Sequence, residues 1–194
     1  MTRDRDLAEF DQRAPGYDDG WLGRLHHEIA DRTADLALAR VPAPHRILDV
    51  GCGTGYLLRQ LAARAPEAAG LVGIDPAPAM IKAAGAPTAD ARLRFGAGTA
   101  EQLSMPDATF DLVVSTTSFD HWADQQAGLA QCARVTAAGG CLVLAGQFSA
   151  LLLPTLLAGR RARRARSGGP LACWPRPGTT RRNGMTSMPS SSGQ

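Results

Sequence analysis

The residues best equipped for chemistry lie in Ile47-Leu48-Asp49-Val50-Gly51-Cys52-Gly53-Thr54-Gly55, where an apolar run meets an acid and then three glycines spaced two apart. Glycine lets a backbone turn sharply and approach a ligand closely. A helix that starts directly behind such a turn aims its free N–H groups into the same space. Loops that seat a pyrophosphate carry G-x-G-x-x-G; here the spacing is G-x-G-x-G, and Asp49 stands two residues before the first glycine. A carboxylate there repels an anion and attracts a cation, so a ligand with an ammonium or sulfonium is expected and a dinucleotide is the less suited alternative. A second acid, Asp75, closes Val72-Gly73-Ile74-Asp75, 20 residues past Gly55. A carboxylate at the end of that strand can accept both hydroxyls of a ribose.

The elements that must hold these acids follow from apolar spacing. Ile47–Val50, Leu71–Ile74, Arg92–Phe95, Asp111–Ser115 and Cys141–Ala145 read as strands. Leu25–Arg40, Tyr56–Ala65, Pro78–Ala84 and Ala123–Thr136 read as helices, with Ala137-Ala138-Gly139-Gly140 as a turn. Strand and helix alternate, which predicts an α/β fold: a Rossmann-like, doubly wound and mostly parallel sheet with helices on both faces. Residues 1–40 are expected to form a helical lid, 41–150 the ligand-binding core, and 151–194 an Arg/Pro/Ser-rich tail.

Composition removes other classes. The formal charge of +3 divides unevenly, −5 over residues 1–150 and +8 over 151–194, so a nucleic-acid partner is not expected. No apolar run approaches the roughly 20 residues of a bilayer span, and the charged start Met1–Asp6 lacks the apolar segment of a signal peptide. Four cysteines without a C-x-x-C pair make zinc or a disulfide framework unexpected and a reducing cytoplasm the default. No metal is expected; adjacent His26 and His27 would face different directions on a helix.

Together the glycine segment and Asp75 resemble the first two motifs of the class I S-adenosylmethionine-dependent methyltransferases. Phe95–Leu103 with Met105–Asp111 is similar to the family's third-strand segment, and Val135–Val143 resembles its usual turn before the fifth strand, with Ala138 in place of proline. The resemblance covers about residues 10–150. It implies S-adenosylmethionine as cofactor, contacted by Asp49, Gly51, Cys52, Gly53, Gly55, Asp75, Pro76, Met80, Thr99, Ala100 and Ser115. Met80 would pack on the adenine, and Thr99 stands where many members have Asp. Phe10-Asp11-x-x-Ala14-x-x-Tyr17-Asp18 looks like the first helix of small-molecule members related to quinone and lipid enzymes, which implies a lid with Tyr17 near the methionine end.

A small-molecule methyl acceptor is therefore expected. Displacement from a sulfonium chiefly needs positioning and exclusion of water, and a base only where the acceptor must lose a proton. His121, after the fourth strand, is the candidate base by type and position; the competing reading has Asp120 capping the next helix while His121 and Trp122 pack the sheet's upper edge. Trp21, His26 and His27 either line the acceptor pocket or pack. The family's sheet ordinarily ends with two further strands, and 151–194 lacks their pattern. Read from the third base of each codon, the segment's permitted codons allow an amphipathic helix, a Gly turn and a β-rich strand. A one-base frameshift near Arg166-Ser167 is expected, with the last two strands missing, and sequencing the gene for stops in the shifted frame tests it.

Overall fold

The computed structural model describes residues 2–146. The expectations for the tail, 151–194, lie outside the described residues. Helix α1, Thr2–Arg13, leads through a 3-10 turn at Ala14–Gly16 into α2, Gly20–Arg40. The first 40 residues are thus two helices, broken where Pro15 enters the turn and removes a backbone donor. Then come β1 (Arg46–Val50), α3 (Tyr56–Arg64), β2 (Gly70–Asp75), α4 (Pro78–Gly85), β3 (Leu93–Ala97), β4 (Phe110–Thr116), a 3-10 turn at Phe119–His121, α5 (Gln125–Val135) and β5 (Thr136–Ala145).

The strands form one sheet in the order β3-β2-β1-β4-β5, and every pairing is parallel. The chain builds outward from β1 to β3 and then returns to β4 on β1's other side. That reversal opens a crevice above the carboxyl ends of β1 and β4, the place where α/β sheets bind ligands. Asp49 pairs with Val114 in the β1–β4 ladder just below it.

Alternate strand residues feed two cores, as a period of two requires. Ile47, Leu71, Leu112 and Val114 pack with α2 and α3, through Ala34, Leu58 and Leu61 among others. Leu48, Ile74, Val113 and Leu142 pack on the opposite face with Cys132 and Val135 of α5. Leu48 is fully buried, so Leu48→Ala is expected to cost about 2–5 kcal/mol of stability; a urea midpoint unchanged from the parent chain would refute the packing described.

Two local readings need correction. The segment Ala137–Gly140 belongs to β5, as an irregularity between the Phe110–Thr136 and Leu112–Cys141 pairs. Gly139 takes φ +80° there, so the turn expected at these residues is a bulge inside the strand. The cap of α5 is Asp124, whose side chain accepts from the Ala127 amide at 2.9 Å. Asp120 is instead spent in the preceding 3-10 turn, where His121 N bonds to Ser118 O.

Candidate functional site

The glycine loop is shaped by its neighbours. Gly51 and Cys52 both donate to Ile74 O, at 2.8 and 2.9 Å, which ties the loop to the end of β2. Gly51 has φ +75°, and a Cβ there would lie 2.3 Å from Ser118 Oγ. Gly51→Ala is therefore both strained and obstructed, and is expected to lower the unfolding midpoint and weaken ligand binding together; retention of both would show that the loop adapts. Above Gly53, at φ +52°, nothing lies within 4 Å of an added Cβ, so its open side forms a cradle.

Ser118 ties the two crevice loops together. Its hydroxyl donates to Val50 O at 3.0 Å, lies 2.7 Å from Ser115 Oγ, and accepts from Trp122 Nε1 at 3.2 Å. Next to it Thr117 sits at φ +54°, a costly conformation for a β-branched residue.

Two cavities meet at this wall. The larger, about 790 Å3, is lined by Asp75, Pro76, Met80, Thr99, Ala100 and His121, together with Leu7 and Phe10 from α1. The second, about 440 Å3, is lined by Asp49, Cys52, His26 and Leu57. Tyr17, Gly51, Gly53, Thr116 and Thr117 border both. The structure thus brings together most of the residues singled out from sequence. Gly55 and Ser115 line neither cavity. A Cβ on Gly55 would lie 2.7 Å from the Phe95 ring, so this glycine permits α3 to approach β3. The Ser115 hydroxyl is turned back to Ser118.

The two acids have different surroundings. Asp75 Oδ2 accepts from Gly53 N at 2.9 Å and Oδ1 from Ala77 N at 2.9 Å, which leaves one lone pair on each oxygen. Burial raises its pKa, and the two backbone donors oppose that rise. Asp49 is almost fully buried, and its Oδ1 has no hydrogen-bond partner. Burial, reinforced by the Asp75 charge, pushes its carboxyl up to about 8.

Helix α1 closes the larger cavity. Asp11 Oδ1 accepts from Ala79 N at 2.8 Å, in the first turn of α4, and Phe10 meets the exposed His121 ring edge-on at 5.0 Å between centroids. Tyr17 stacks on His26 at 5.0 Å. Beside them, His27 stacks on Tyr56 at 3.7 Å and its Nε2 lies 3.0 Å from Asp18 Oδ1, which also accepts from Thr54 Oγ1 at 3.0 Å. His27 therefore packs; both histidines border the second cavity, and of the two it is His26 whose ring nitrogen Nδ1 is left without a partner.

Residues 47–140 match the family described as a methyltransferase domain. Over 143 residues the chain is 42% identical to a demethylmenaquinone methyltransferase of Thermus thermophilus, covering 70% of this chain and 62% of that one. A malonyl-acyl-carrier-protein O-methyltransferase of Dechloromonas aromatica is 33% identical over 146 residues, covering 74% of this chain and 51% of the relative. One chain of the complex between the Haloferax volcanii Trm112 methyltransferase activator and a methyltransferase superposes with a TM-score of 0.61 at 34% identity, covering 70% of this chain and 59% of that one. The chain belongs to the class I S-adenosylmethionine-dependent methyltransferases. It spans between 51% and 62% of the length of these two curated relatives.

The residues present fit the methyltransferase cofactor. The unpartnered Asp49 Oδ1 suits a cationic group, and the spare lone pairs of Asp75 suit a ribose diol. Met80, buried against Ala14 and Ala77, gives an apolar wall for an aromatic base. Asp11 and Asp18 are visible in the sequence only as parts of a motif, and Thr116 and Ser118 only as members of the run Ser115–Trp122 after the fourth strand. Asp11 and Asp18 stood inside the Phe10–Asp18 pattern, so their signal was available; nothing in the run Ser115–Ser118 distinguishes one hydroxyl from the next. No described helix is long and apolar enough to cross a membrane, and no group of metal-ligating side chains occurs among the described residues.

Proposed function

We propose that this chain transfers a methyl group from S-adenosylmethionine to a small-molecule acceptor. The observation that carries the reading is the pair of buried carboxylates, Asp49 and Asp75, flanking the open Gly53 cradle. A diphosphate placed there would face two acids, and a sulfonium with its ammonium would be attracted by both. When bound, the cofactor supplies an electrophilic methyl group.

The chain's own residues then bind, orient and shield. Asp75 receives the ribose, Pro76, Met80, Thr99 and Ala100 border the base, and Asp49 with Gly51, Cys52, Gly53 and Tyr17 faces the methionine end. The acceptor meets the cofactor in the larger cavity, on the side lined by Phe10, His121 and Trp122. His121 stands there, exposed, to take a proton from acceptors that must lose one. The charge of −5 over residues 1–150 favours a small acceptor over nucleic acid, and a cytoplasmic setting suits a cofactor made there.

Calorimetric titration with S-adenosylhomocysteine and with NAD tests the assignment. Saturable binding of the former with a raised unfolding midpoint is expected, and binding of NAD alone would overturn it. A screen of acceptors, read by release of S-adenosylhomocysteine, then separates an enzyme from a cofactor-binding remnant.

A further inference from the structure

Among the described residues, three buried side-chain polar atoms find no hydrogen-bond partner: His26 Nδ1, Asp49 Oδ1 and Thr116 Oγ1. They come from α2, β1 and β4, far apart in sequence, yet all three residues line the second cavity. Buried polar groups are nearly always paired, so three orphans converging on one space mark a place where a polar ligand completes the hydrogen bonding. The ligand's chemistry follows from the set. Asp49 offers an acid for a cation, whereas an imidazole and a hydroxyl can both donate to an anion. A zwitterion with ammonium and carboxylate on one carbon satisfies all three.

Resting on the function proposed above, we infer that His26 positions the carboxylate of the cofactor's amino-acid end, and that seating this end moves a proton from Asp49 to His26. The Asp49 carboxyl gives up its O–H proton and faces the ammonium as a carboxylate. The His26 ring takes one proton and faces the ligand's carboxylate as an imidazolium, with Thr116 Oγ1 donating beside it. No proton enters or leaves the solvent.

The resting state of both groups favours this exchange. Burial holds the His26 ring below its usual range; Arg13 and His27 add to this effect and Asp18 opposes it. Tyr17, stacked on the ring, carries its own phenol raised by burial. Asp49 holds its proton at neutral pH for the reasons given above, with Asp75 the charge acting on it. Cys52, the other titratable group near Asp49, is a thiol pushed well up by burial. Each group is neutral alone, and each gains a charge only when the opposite charge arrives.

The test measures protons as well as affinity. Calorimetric titrations at pH 7 in two buffers of different ionisation enthalpy give the net protons exchanged on binding. The probes are S-adenosylhomocysteine, which carries the amino-acid end, and 5′-methylthioadenosine, which lacks it. The parent chain is expected to bind S-adenosylhomocysteine with close to no net proton change. His26→Gln keeps a hydrogen-bond donor but cannot take the proton. It should release about one proton and bind S-adenosylhomocysteine roughly ten- to hundredfold more weakly, with 5′-methylthioadenosine unchanged. Asp49→Asn should instead take up about one proton. Release of one proton by the parent chain, or equal weakening of both probes in His26→Gln, would overturn the inference and leave the function standing. Binding of neither probe by the parent chain would overturn both. Binding of free methionine as tight as that of S-adenosylhomocysteine would assign the cavity to an amino-acid substrate and reject this reading.

Discussion

Asp49→Asn is expected to make the ligand-free protein more stable than its parent at alkaline pH while weakening, without abolishing, the binding of S-adenosylhomocysteine, by roughly ten- to hundredfold. In the unfolded chain this carboxyl titrates near 3.8, and in the folded chain burial and Asp75 move it to about 8. Between those two values the folded protein holds a proton that the unfolded chain has released. Stability therefore falls as pH rises across that window, by about 1.4 kcal/mol per pH unit from this one group, and levels off above it. The amide does not titrate, so the variant lacks this descent. Unfolding midpoints at pH 5, 7 and 9 should show the variant gaining on the parent with each step, and parallel profiles would refute the buried-acid description. The same acid that weakens the empty fold attracts the ammonium, which is why stability and binding are expected to move in opposite directions.

Asp75→Ala is expected to remove binding of the whole nucleoside, 5′-methylthioadenosine included, by a hundredfold or more. The variant loses the acceptor for a ribose diol, and hydrogen bonds to a charged group contribute about 1.5–3 kcal/mol each. It also strips the Gly53 and Ala77 amides of their acceptor, so the cradle and the start of α4 lose their fixed geometry. Asp75→Asn is a sharper version: the new amide must turn its NH2 toward one of two backbone N–H donors, so one bond is lost whichever way it sits. Asp49→Asn leaves 5′-methylthioadenosine binding intact. The two probes thus separate the acids, and a matching loss of both probes in both variants would refute the assignment of one acid to each end.

Much of this arrangement was legible in the sequence, for physical reasons. Ile47–Val50 and Leu71–Ile74 are buried on both faces, so they appear as short apolar runs, the first interrupted only by Asp49 at the site, and are strands in the structure. The backbone demands positive φ at Gly51, Gly53 and Gly55, so the loop had to write itself in glycine. Other features depend on distant partners. Asp120 and Asp124 are equally good caps in the text; with Gly128 the Trp122 ring has space, since a Cβ there would come within 2.4 Å of the ring, and α5 begins beyond it. Gly55 and Gly53 look alike as letters, yet one admits the Phe95 ring and the other faces open space. His26 and His27 are neighbours in sequence and both border the second cavity, and only the turn of α2 gives His27 its partners in Asp18 and Tyr56 while His26 Nδ1 is left without one.

The bond from Ala79 N to Asp11 joins residues 68 positions apart. Helix α1 rests on α4 and on the 3-10 turn that follows α1 in the chain, so this amide is bonded by a side chain that belongs to a different element from its own. Its hydrogen-exchange rate therefore tests whether α1 lifts from α4 as a lid would, readable at a single backbone position without any ligand present: protection no greater than that of an unbonded amide is the outcome expected of a lid, and full protection the outcome expected of a fixed helix.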